Sequence, residues 1–456
     1  MSSRYRLHLR KLTFCYQITT VTIEVRYMNA RKAETFGSLK RACLPVFLAF
    51  AGISAATAQE AVDTEKLFKE GIFLREQGQV FSAIEALETV LSNNPSLNRA
   101  RLELAVAYFR ALNLDQANIQ AQKVLDDPKT PENVRLAVLA FQAQIKRDQA
   151  ALVAKPHTFE PSISLGFLYD TNVNVGPSGA TLPGGLILQP GSTPQHDWAG
   201  VAQAGITHTY NSPTVVRFGE TASRLIWQTS AGLYHKGYFE KTDFDLTALS
   251  LSTGPGWVAP NKWRTKLNFQ ADALYLGGDY LGLYTSVSPT FTLQLKNGEL
   301  TWDALVLNKN FDRAIDAGRD SNYYSTGLSY GHLFLQGKLA VQGGAHVFME
   351  EASANRFSND GWEAFIGANV VAWQNGSVYG RYSYKDTKFD GVEPVFNVAR
   401  DETEHRLEVG FGHNFKEGLM KDWRVSGSWQ FTDNNSNVSI YTYEREVVGV
   451  NLGRSF

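Results

Sequence analysis

Cysteine is almost absent from this chain of 456 residues. Its two cysteines, Cys15 and Cys43, both lie in the first tenth of the sequence, so a framework of structural disulfides is excluded for the remainder. An excess of positive charge is missing as well, since 44 basic residues stand against 45 acidic ones. Nucleic acid is therefore not an expected partner, because proteins that bind it carry a clear basic excess.

Long hydrophobic runs are also missing. The mean hydropathy is -0.24, and the main apolar stretch, residues 42–53, is too short to cross a bilayer as a helix. A bundle of transmembrane helices is thus excluded. Aromatic residues make up 12% of the chain and 38 glycines are spread through it, which favours strands with one apolar face.

The first 58 residues are predicted to be absent from the mature protein. Residues 28–58 combine basic residues, an apolar run and an Ala-x-Ala ending at Ala58, which indicates a secretory signal rather than a short membrane anchor. Cys43 precedes the apolar run, which argues against a lipoprotein signal. Residues 1–27 are interpreted as an over-extension upstream of Met28. Removal of residues 1–58 takes nine basic and two acidic residues, leaving a net charge near -8.

Residues 59–152 predict an all-α domain of tetratricopeptide-like repeats. Apolar residues recur at spacings of three and four, and a 34-residue period relates Gly71 to Ala105 and Ala83 to Ala117. We expect a last helix over 131–151 to cap the stack. The residues predicted to pack or end the helices of these repeats are Gly71, Ala83, Pro95, Ala105, Tyr108 and Ala117. Such a domain would offer a groove for a peptide or protein, or serve as a spacer or plug.

After a linker over 153–160, residues 161–456 alternate between apolar and polar side chains. Stretches 263–275 and 423–431 are the clearest cases, with Trp, Phe and Tyr on one face and charged or polar residues on the other. The apolar face ends in aromatic residues, as in outer-membrane barrels. Fourteen strands of about 9–13 residues are predicted, with centres near 166, 204, 229, 249, 269, 290, 305, 328, 345, 367, 382, 409, 427 and 448.

The sequence ends in "EVVGVNLGRSF", whose apolar residues Val448, Val450 and Leu452 share one register. A last strand of this kind must pair, because a bilayer leaves no water for free backbone groups. We predict that it closes on the first strand, near 162–170. The terminal Phe456 resembles the insertion signal of outer-membrane proteins. The predicted fold is thus a multidomain α+β chain, with a helical domain followed by a 14-stranded antiparallel transmembrane β-barrel.

Turn signals predict which end of this barrel faces which side. Asn297-Gly298, Gln336-Gly337 and Asn375-Gly376 recur every 39 residues and indicate tight hairpins. Longer polar connections are expected over 312–321, 352–360 and 388–402. Short turns are typical of the periplasmic end of a bacterial barrel and long loops of the extracellular end. An even strand number puts both barrel termini, and the helical domain, on the periplasmic side of the outer membrane.

No chemistry of an enzyme, cofactor or metal site is predicted. The histidines lack metal-ligand spacings, and Ser329 and His332 fall on opposite strand faces, so they do not form a hydrolase pair. Charged residues on the inner face could line a passage, or could form a ladder of cross-strand ion pairs that stiffens the wall. These candidate lumen-lining residues are Arg264, Lys266, Asp272, Arg381, Lys385, Glu404, Arg406 and Glu408.

The first strand begins with the stretch "PSISLGFLYDTNVN". Asp170, Asn172 and Asn174 form a D-x-N-x-N element at its end. A periplasmic repeat unit, this element and fourteen strands ending in Phe456 resemble the surface lipoprotein assembly modulator (Slam) family, the translocators of type XI secretion. Read from the residues alone, the element ends a strand before a Gly- and Pro-rich loop, 175–195, and favours Asx turns over ligand binding. The loop could plug the barrel or stand outside it.

The resemblance implies a translocator of surface lipoproteins or secreted partner proteins, with the repeats receiving the client and the barrel as conduit. The implied partners are outer-membrane lipid, the client, periplasmic chaperones and the barrel-assembly machinery, and the chain is expected to be monomeric. The alternative is an exopolysaccharide exporter or a diffusion porin with a periplasmic docking domain. No nucleotide-binding loop is present in the sequence to supply energy.

Overall fold

The structure is a computed structural model that describes residues 63–153, 156–179, 187–188 and 190–456. The predicted over-extension, 1–27, and the predicted signal, 28–58, lie outside the described residues. The chain divides into a helical unit and a strand unit. Each is considered by itself below.

Five helices make up the described part of the helical unit: α1 (Thr64–Glu76), α2 (Val80–Asn93), α3 (Asn98–Arg110), α4 (Leu114–Leu125) and α5 (Glu132–Val153). The side chain of Asp63 caps α1 by accepting hydrogen bonds from two backbone N–H groups of its first turn. Among the described residues, no helix is both long and apolar enough to cross a membrane.

Close helix contacts explain the small residues of this unit. Gly71 of α1 faces Leu87 of α2, and a Cβ at Gly71 would lie 2.8 Å from the Leu87 Cγ. Ala83, Ala105 and Ala117 are fully buried. Helix α3 begins 34 residues after α1, and α4 begins 34 residues after α2. This spacing equals the period read from the sequence, although the tetratricopeptide identity of the helices stays a prediction.

Fourteen antiparallel strands form one closed barrel, in which each strand pairs with its neighbours in sequence and β1 pairs with β14. The closed fourteen-stranded sheet predicted from the sequence is confirmed. The strands are β1 (His157–Asp170), β2 (Asp197–Phe218), β3 (Thr221–Tyr238), β4 (Leu246–Ala259), β5 (Trp263–Leu276), β6 (Asp279–Gln294), β7 (Gly298–Phe311), β8 (Ser321–Phe334), β9 (Leu339–Ala352), β10 (Asn359–Trp373), β11 (Gly376–Glu393), β12 (Val398–Asn414), β13 (Trp423–Ser436) and β14 (Tyr443–Ser455).

The barrel closes between its first and last strands as the alternation predicts. Ser162 lies opposite Ser455 and Asp170 opposite Val447, and the N–H of Phe456 donates to the carbonyl of Pro161 at 2.9 Å. Leu165, Phe167, Val448 and Val450 are among the exposed apolar residues of this seam, and they point away from the lumen. We call the barrel end that holds His157 and Phe456 the terminal end, and the opposite end the loop end.

Three expectations about the strands need correction. The strands run from 13 to 22 residues, longer than the predicted 9–13. The predicted linker over 153–160 is shorter, because β1 already begins at His157, where it pairs with Tyr210 of β2. The predicted long connection over 388–402 is wrong, since β11 extends to Glu393 and β12 starts at Val398. Polar residues of this segment, such as Arg400 and Glu402, belong to strand β12 and pair with each other at 3.3 Å.

The hairpin turns at the terminal end hold residues in the left-handed region of backbone space. Gln336 and Gly337 have φ of 57° and 88°, and Asn375 has φ of 63°. Asn and Gly tolerate this conformation best, which is why such pairs predict tight turns. The asymmetry of the two ends is nevertheless weaker than expected. The loop end includes the two-residue connection 277–278, and the terminal end includes the eight-residue connection 415–422.

Candidate functional site

The lumen of the barrel gathers most of the charged residues that the sequence singles out. Outward-facing residues such as Leu251, Phe269 and Val409 are exposed and apolar, and the residues between them along each strand face inward. The pairing register puts all of the predicted lumen-lining residues on this inner face. They are Arg264, Lys266, Asp272, Arg381, Lys385, Glu404, Arg406 and Glu408. Whether they line a passage stays a prediction.

Two of these residues, Lys385 and Glu404, belong to a row of lumenal residues that the pairing register joins across neighbouring strands. Reading the register across neighbouring strands, Asp303 lies opposite Gly327, Gly327 opposite His346, and His346 opposite Glu363. The same row continues through Lys385 to Glu404. A row of mostly ionisable residues thus crosses six strands. One contact within it is direct, between Nε2 of His346 and a carboxylate oxygen of Asp303 at 3.1 Å.

The predicted cation and anion pairs of β11 and β12 lie opposite each other. Arg381 faces Glu408, and Lys385 faces Glu404. The guanidinium of Arg381 also lies 3.8 Å from the centre of the Phe365 ring, and Glu408 accepts a hydrogen bond from the Tyr379 hydroxyl at 2.6 Å. This register is the one that an ion-pair ladder requires, and the ladder stays an alternative prediction to a passage.

The ion pairs of the lumen become drier from the terminal end to the loop end. At the terminal end, the side chains of Arg264 and Glu299 are 40% and 38% exposed. At mid-height, those of Arg406 and Glu404 are 20% and 17% exposed. Near the loop end, those of Lys309 and Glu350 are 10% and 7% exposed. This gradient is the main asymmetry of the candidate site.

Sequence reasoning missed the charged groups that make up the dry end. Lys309 Nζ donates to both carboxylate oxygens of Glu350, at 3.0 and 2.9 Å, and the Ser321 hydroxyl donates to the same carboxylate. Arg400 lies between the rings of Phe389 and Tyr441, 3.6 and 4.0 Å from their centres.

The guanidinium of Arg400 also pairs with Glu393 at 3.4 Å. The alternation along β7, β9 and β12 could have indicated that Lys309, Glu350 and Arg400 face the lumen. It could not have indicated their burial.

The D-x-N-x-N element is used in folding the first loop. The N–H of Asn172 donates to a carboxylate oxygen of Asp170 at 3.1 Å, which forms an Asx turn. The amide of Asn172 bonds both the carbonyl and the N–H of Gly176, at 2.8 and 2.7 Å. Asn174 donates to the carbonyl of Thr193 at 2.9 Å. These contacts agree with the turn-forming role favoured from the sequence, while residues 180–186 and 189 lie outside the described residues.

The helical unit carries a shallow cleft of about 370 Å³. It is lined by Pro95, Ser96, Asn98, Arg101, Lys123, Asp126, Asp127 and Pro128. Hydrogen bonds from the N–H of Lys129 and the side chain of Asn98 lower the pKa of Asp127, so its carboxylate stays charged at neutral pH. With charges of both signs at its rim, the cleft has no clear preference for one class of ligand.

The strand topology defines the structural class of the protein. The strand unit is a closed, fourteen-stranded β-barrel of the outer-membrane type, and five helices precede it in the described part of the chain. Among the described residues, no three of His, Cys, Asp and Glu approach closely enough to hold a metal ion.

Comparison with known proteins finds only distant likenesses, all to solved structures of outer-membrane proteins. No family model matches the chain. No curated protein matches it either. A loop L8 deletion mutant of OmpT from Vibrio cholerae is 7% identical, with a TM-score of 0.39, over 66% of this chain and 100% of its own. An anion-selective porin from Comamonas acidovorans is 9% identical, with a TM-score of 0.37, over 66% and 99%. Likenesses at this level say nothing of what the chain transports.

Proposed function

We propose that this chain is an outer-membrane translocator that moves a surface lipoprotein or a secreted protein to the cell surface. The helical unit would lie in the periplasm and receive the client, and the barrel would be the conduit. The observation that carries the proposal is the exposure gradient of the lumenal ion pairs. A lumen that is wet at one end and dry at the other suits a conduit that opens on demand.

The membrane location is argued from the two faces of the barrel. Exposed Leu, Val, Phe and Trp side chains cover its outer face, and a water-soluble protein would pay a large hydrophobic cost for such a surface. The ion-paired lumen gives charged groups partners away from lipid. We therefore place the barrel in the outer membrane of a Gram-negative cell, with the terminal end and both barrel termini toward the periplasm.

The helical unit supports a role in client capture. Stacked helix pairs present an elongated face to extended partners, and a unit of this kind has no use in a passive pore. Periplasmic chaperones and the barrel-assembly machinery are the further partners that this role implies. No catalytic step is proposed for the chain.

The second candidate is a diffusion porin or an exopolysaccharide exporter, and the half-exposed pair of Arg264 and Glu299 at the terminal end favours it. Reconstitution of the full chain in planar lipid bilayers separates the two functions. The translocator is expected to be mostly shut, with brief openings. A large and steady conductance would support the porin and count against the translocator.

Translocation itself can be measured in a Gram-negative host. The full chain would be expressed with an epitope-tagged exported protein encoded beside it, and the tag probed with protease on intact cells. We expect the tag to become protease-sensitive only when helices and barrel are both present. A tag equally exposed in cells that lack the barrel would overturn the proposal, provided that fractionation finds the tagged protein in both strains.

A further inference from the structure

Strand β1 forms two backbone ladders, and the one with β14, at the seam, is shorter than the one with β2. Nine residue pairs join β1 to β14, whereas fourteen join β1 to β2. The ladder of paired residues at the seam ends at Asp170, opposite Val447, but β14 continues toward the loop end from Val447 back to Tyr443. Backbone groups of these last residues must find other partners, since unpaired groups are costly where water is excluded.

Backbone and side-chain groups of the first loop supply those partners. The Thr171 N–H donates to the Glu446 carbonyl at 3.0 Å, and the Glu446 N–H donates to the Thr171 hydroxyl at 2.8 Å. The Asn172 amide donates to the Glu444 carbonyl at 3.0 Å. The hydroxyl of Ser178 accepts from the Glu444 N–H at 3.0 Å. The seam is thus extended by one more backbone hydrogen bond, from Thr171, and then by side chains of the first loop.

A buried ion pair stands where the ladder gives way to these side chains. Nε of Arg445 on β14 donates to one carboxylate oxygen of Asp170 on β1 at 2.9 Å, and the same guanidinium donates to the other oxygen. The Tyr238 hydroxyl of β3 donates to that second oxygen at 2.7 Å. The Asp170 side chain is 1% exposed. One carboxylate therefore holds the first strand to the last and to the third.

We infer that the Asp170–Arg445 pair, with Tyr238 and the side chains of Thr171, Asn172 and Ser178, is a clasp that holds the β1–β14 seam shut at the loop end. The clasp adds an electrostatic term to the opening of the seam, because parting β1 from β14 must also separate a bidentate ion pair whose carboxylate is buried. It also gives the D-x-N-x-N element a role beyond forming the first loop. The inference does not depend on what passes through the barrel.

The test compares single-channel recordings of the full chain and its variants in planar bilayers. We expect Asp170→Asn and Arg445→Gln each to raise the open probability by more than about tenfold, since each removes the bidentate ion pair across the seam. Arg313→Gln is the matched control. It removes an Arg–Asp pair in the β7–β8 connection, at 2.7 Å, away from the seam. We expect no change in the control. An open probability of Asp170→Asn equal to that of the parent chain would overturn the clasp.

A disulfide across the seam tests whether the seam is what moves. Leu168 lies opposite Gly449, and a Cβ at Gly449 would stand 3.4 Å from the Leu168 Cβ, close to the separation in disulfides. The predicted mature chain has no cysteine to interfere. Adding Leu168→Cys and Gly449→Cys to Asp170→Asn should restore the parental open probability under oxidation and lose it again with reductant. Openings that persist in the oxidised protein would overturn the inference.

Folding defects are separated from gating by a milder variant. Heat-dependent electrophoretic mobility reports whether each variant forms a barrel. Where Asp170→Asn fails to do so, Tyr238→Phe keeps the ring and removes one hydrogen bond to the same carboxylate, together with the one that the Tyr238 hydroxyl accepts from Lys236. An open probability above that of Arg313→Gln supports the clasp, and one equal to it counts against the clasp.

Discussion

The lumen carries ion pairs at both of its ends, built from the same kinds of groups in different surroundings. At the terminal end, Arg264 and Glu299 form two hydrogen bonds, at 2.7 and 2.5 Å, and both side chains keep more than a third of their surface in solvent. At the loop end, Lys309 and Glu350 also form two hydrogen bonds, but both side chains are almost completely buried. Geometry alone does not distinguish the two pairs.

Solvent exposure decides how much free energy of unfolding is lost when one partner of an ion pair is removed. Water screens an exposed pair and stabilises either partner alone, so its loss costs little. A buried pair contributes little net stability compared with an apolar pair, yet losing one partner strands a charge. The loop end is thus the part of the wall where a single substitution should matter most. It is also the end where a gate would be sensitive to a single ion pair.

The largest effect is expected from Lys309→Met. The substitution keeps the length of the side chain but leaves the Glu350 carboxylate buried, with the Ser321 hydroxyl as its remaining described partner. The free energy of unfolding should fall by about 3–5 kcal/mol. Urea-induced unfolding of the barrel in lipid vesicles, followed by tryptophan fluorescence, measures it.

The double variant Lys309→Met with Glu350→Gln is the control for that result, because it removes both charges. It should recover a large part of the loss. A single variant that loses less than about 1 kcal/mol would mean that water reaches the pair, and the contrast between the two ends would disappear.

The sequence predicts the barrel, but it does not predict the difference in burial between the ion pairs at the two ends of the lumen. Period-two alternation in stretches such as 263–275 indicates the strands and the face that each residue takes, because the alternation reflects only local geometry. The height of a residue in the barrel depends on the stagger between strands, which is a long-range property. Lys309 and Glu350, 41 residues apart, meet only through this stagger.

The same limit explains the misassigned connection over 388–402. The charged residues of this segment, which include Arg400 and Glu402, predict a solvated loop. In the barrel these two pair in the lumen at 3.3 Å, and Phe389 is buried against Arg400. Charge in the sequence of a barrel indicates either water or a lumenal partner. Only the register separates the two.

A smaller effect is expected from Arg381→Met, at an inward position of β11. The variant loses the stacking of the guanidinium on the Phe365 ring and the charge opposite Glu408, but Glu408 keeps the hydrogen bond from Tyr379. The unfolding free energy should fall by about 1–2 kcal/mol. Arg381→Lys keeps the charge without the planar group, so it separates the stacking from the ion pair in the same unfolding assay.

The smallest effect is expected from Arg264→Met at the terminal end. The Glu299 carboxylate remains partly solvated, so the unfolding free energy should change by less than about 1 kcal/mol. Raising the salt concentration should reduce this small difference further, because ions screen exposed pairs but reach buried ones much less. The Lys309→Met loss should be nearly independent of salt. Equal salt dependence of the two losses would show that both ends of the lumen are equally wet, and the dry loop end would have to be given up as the basis for a closed conduit.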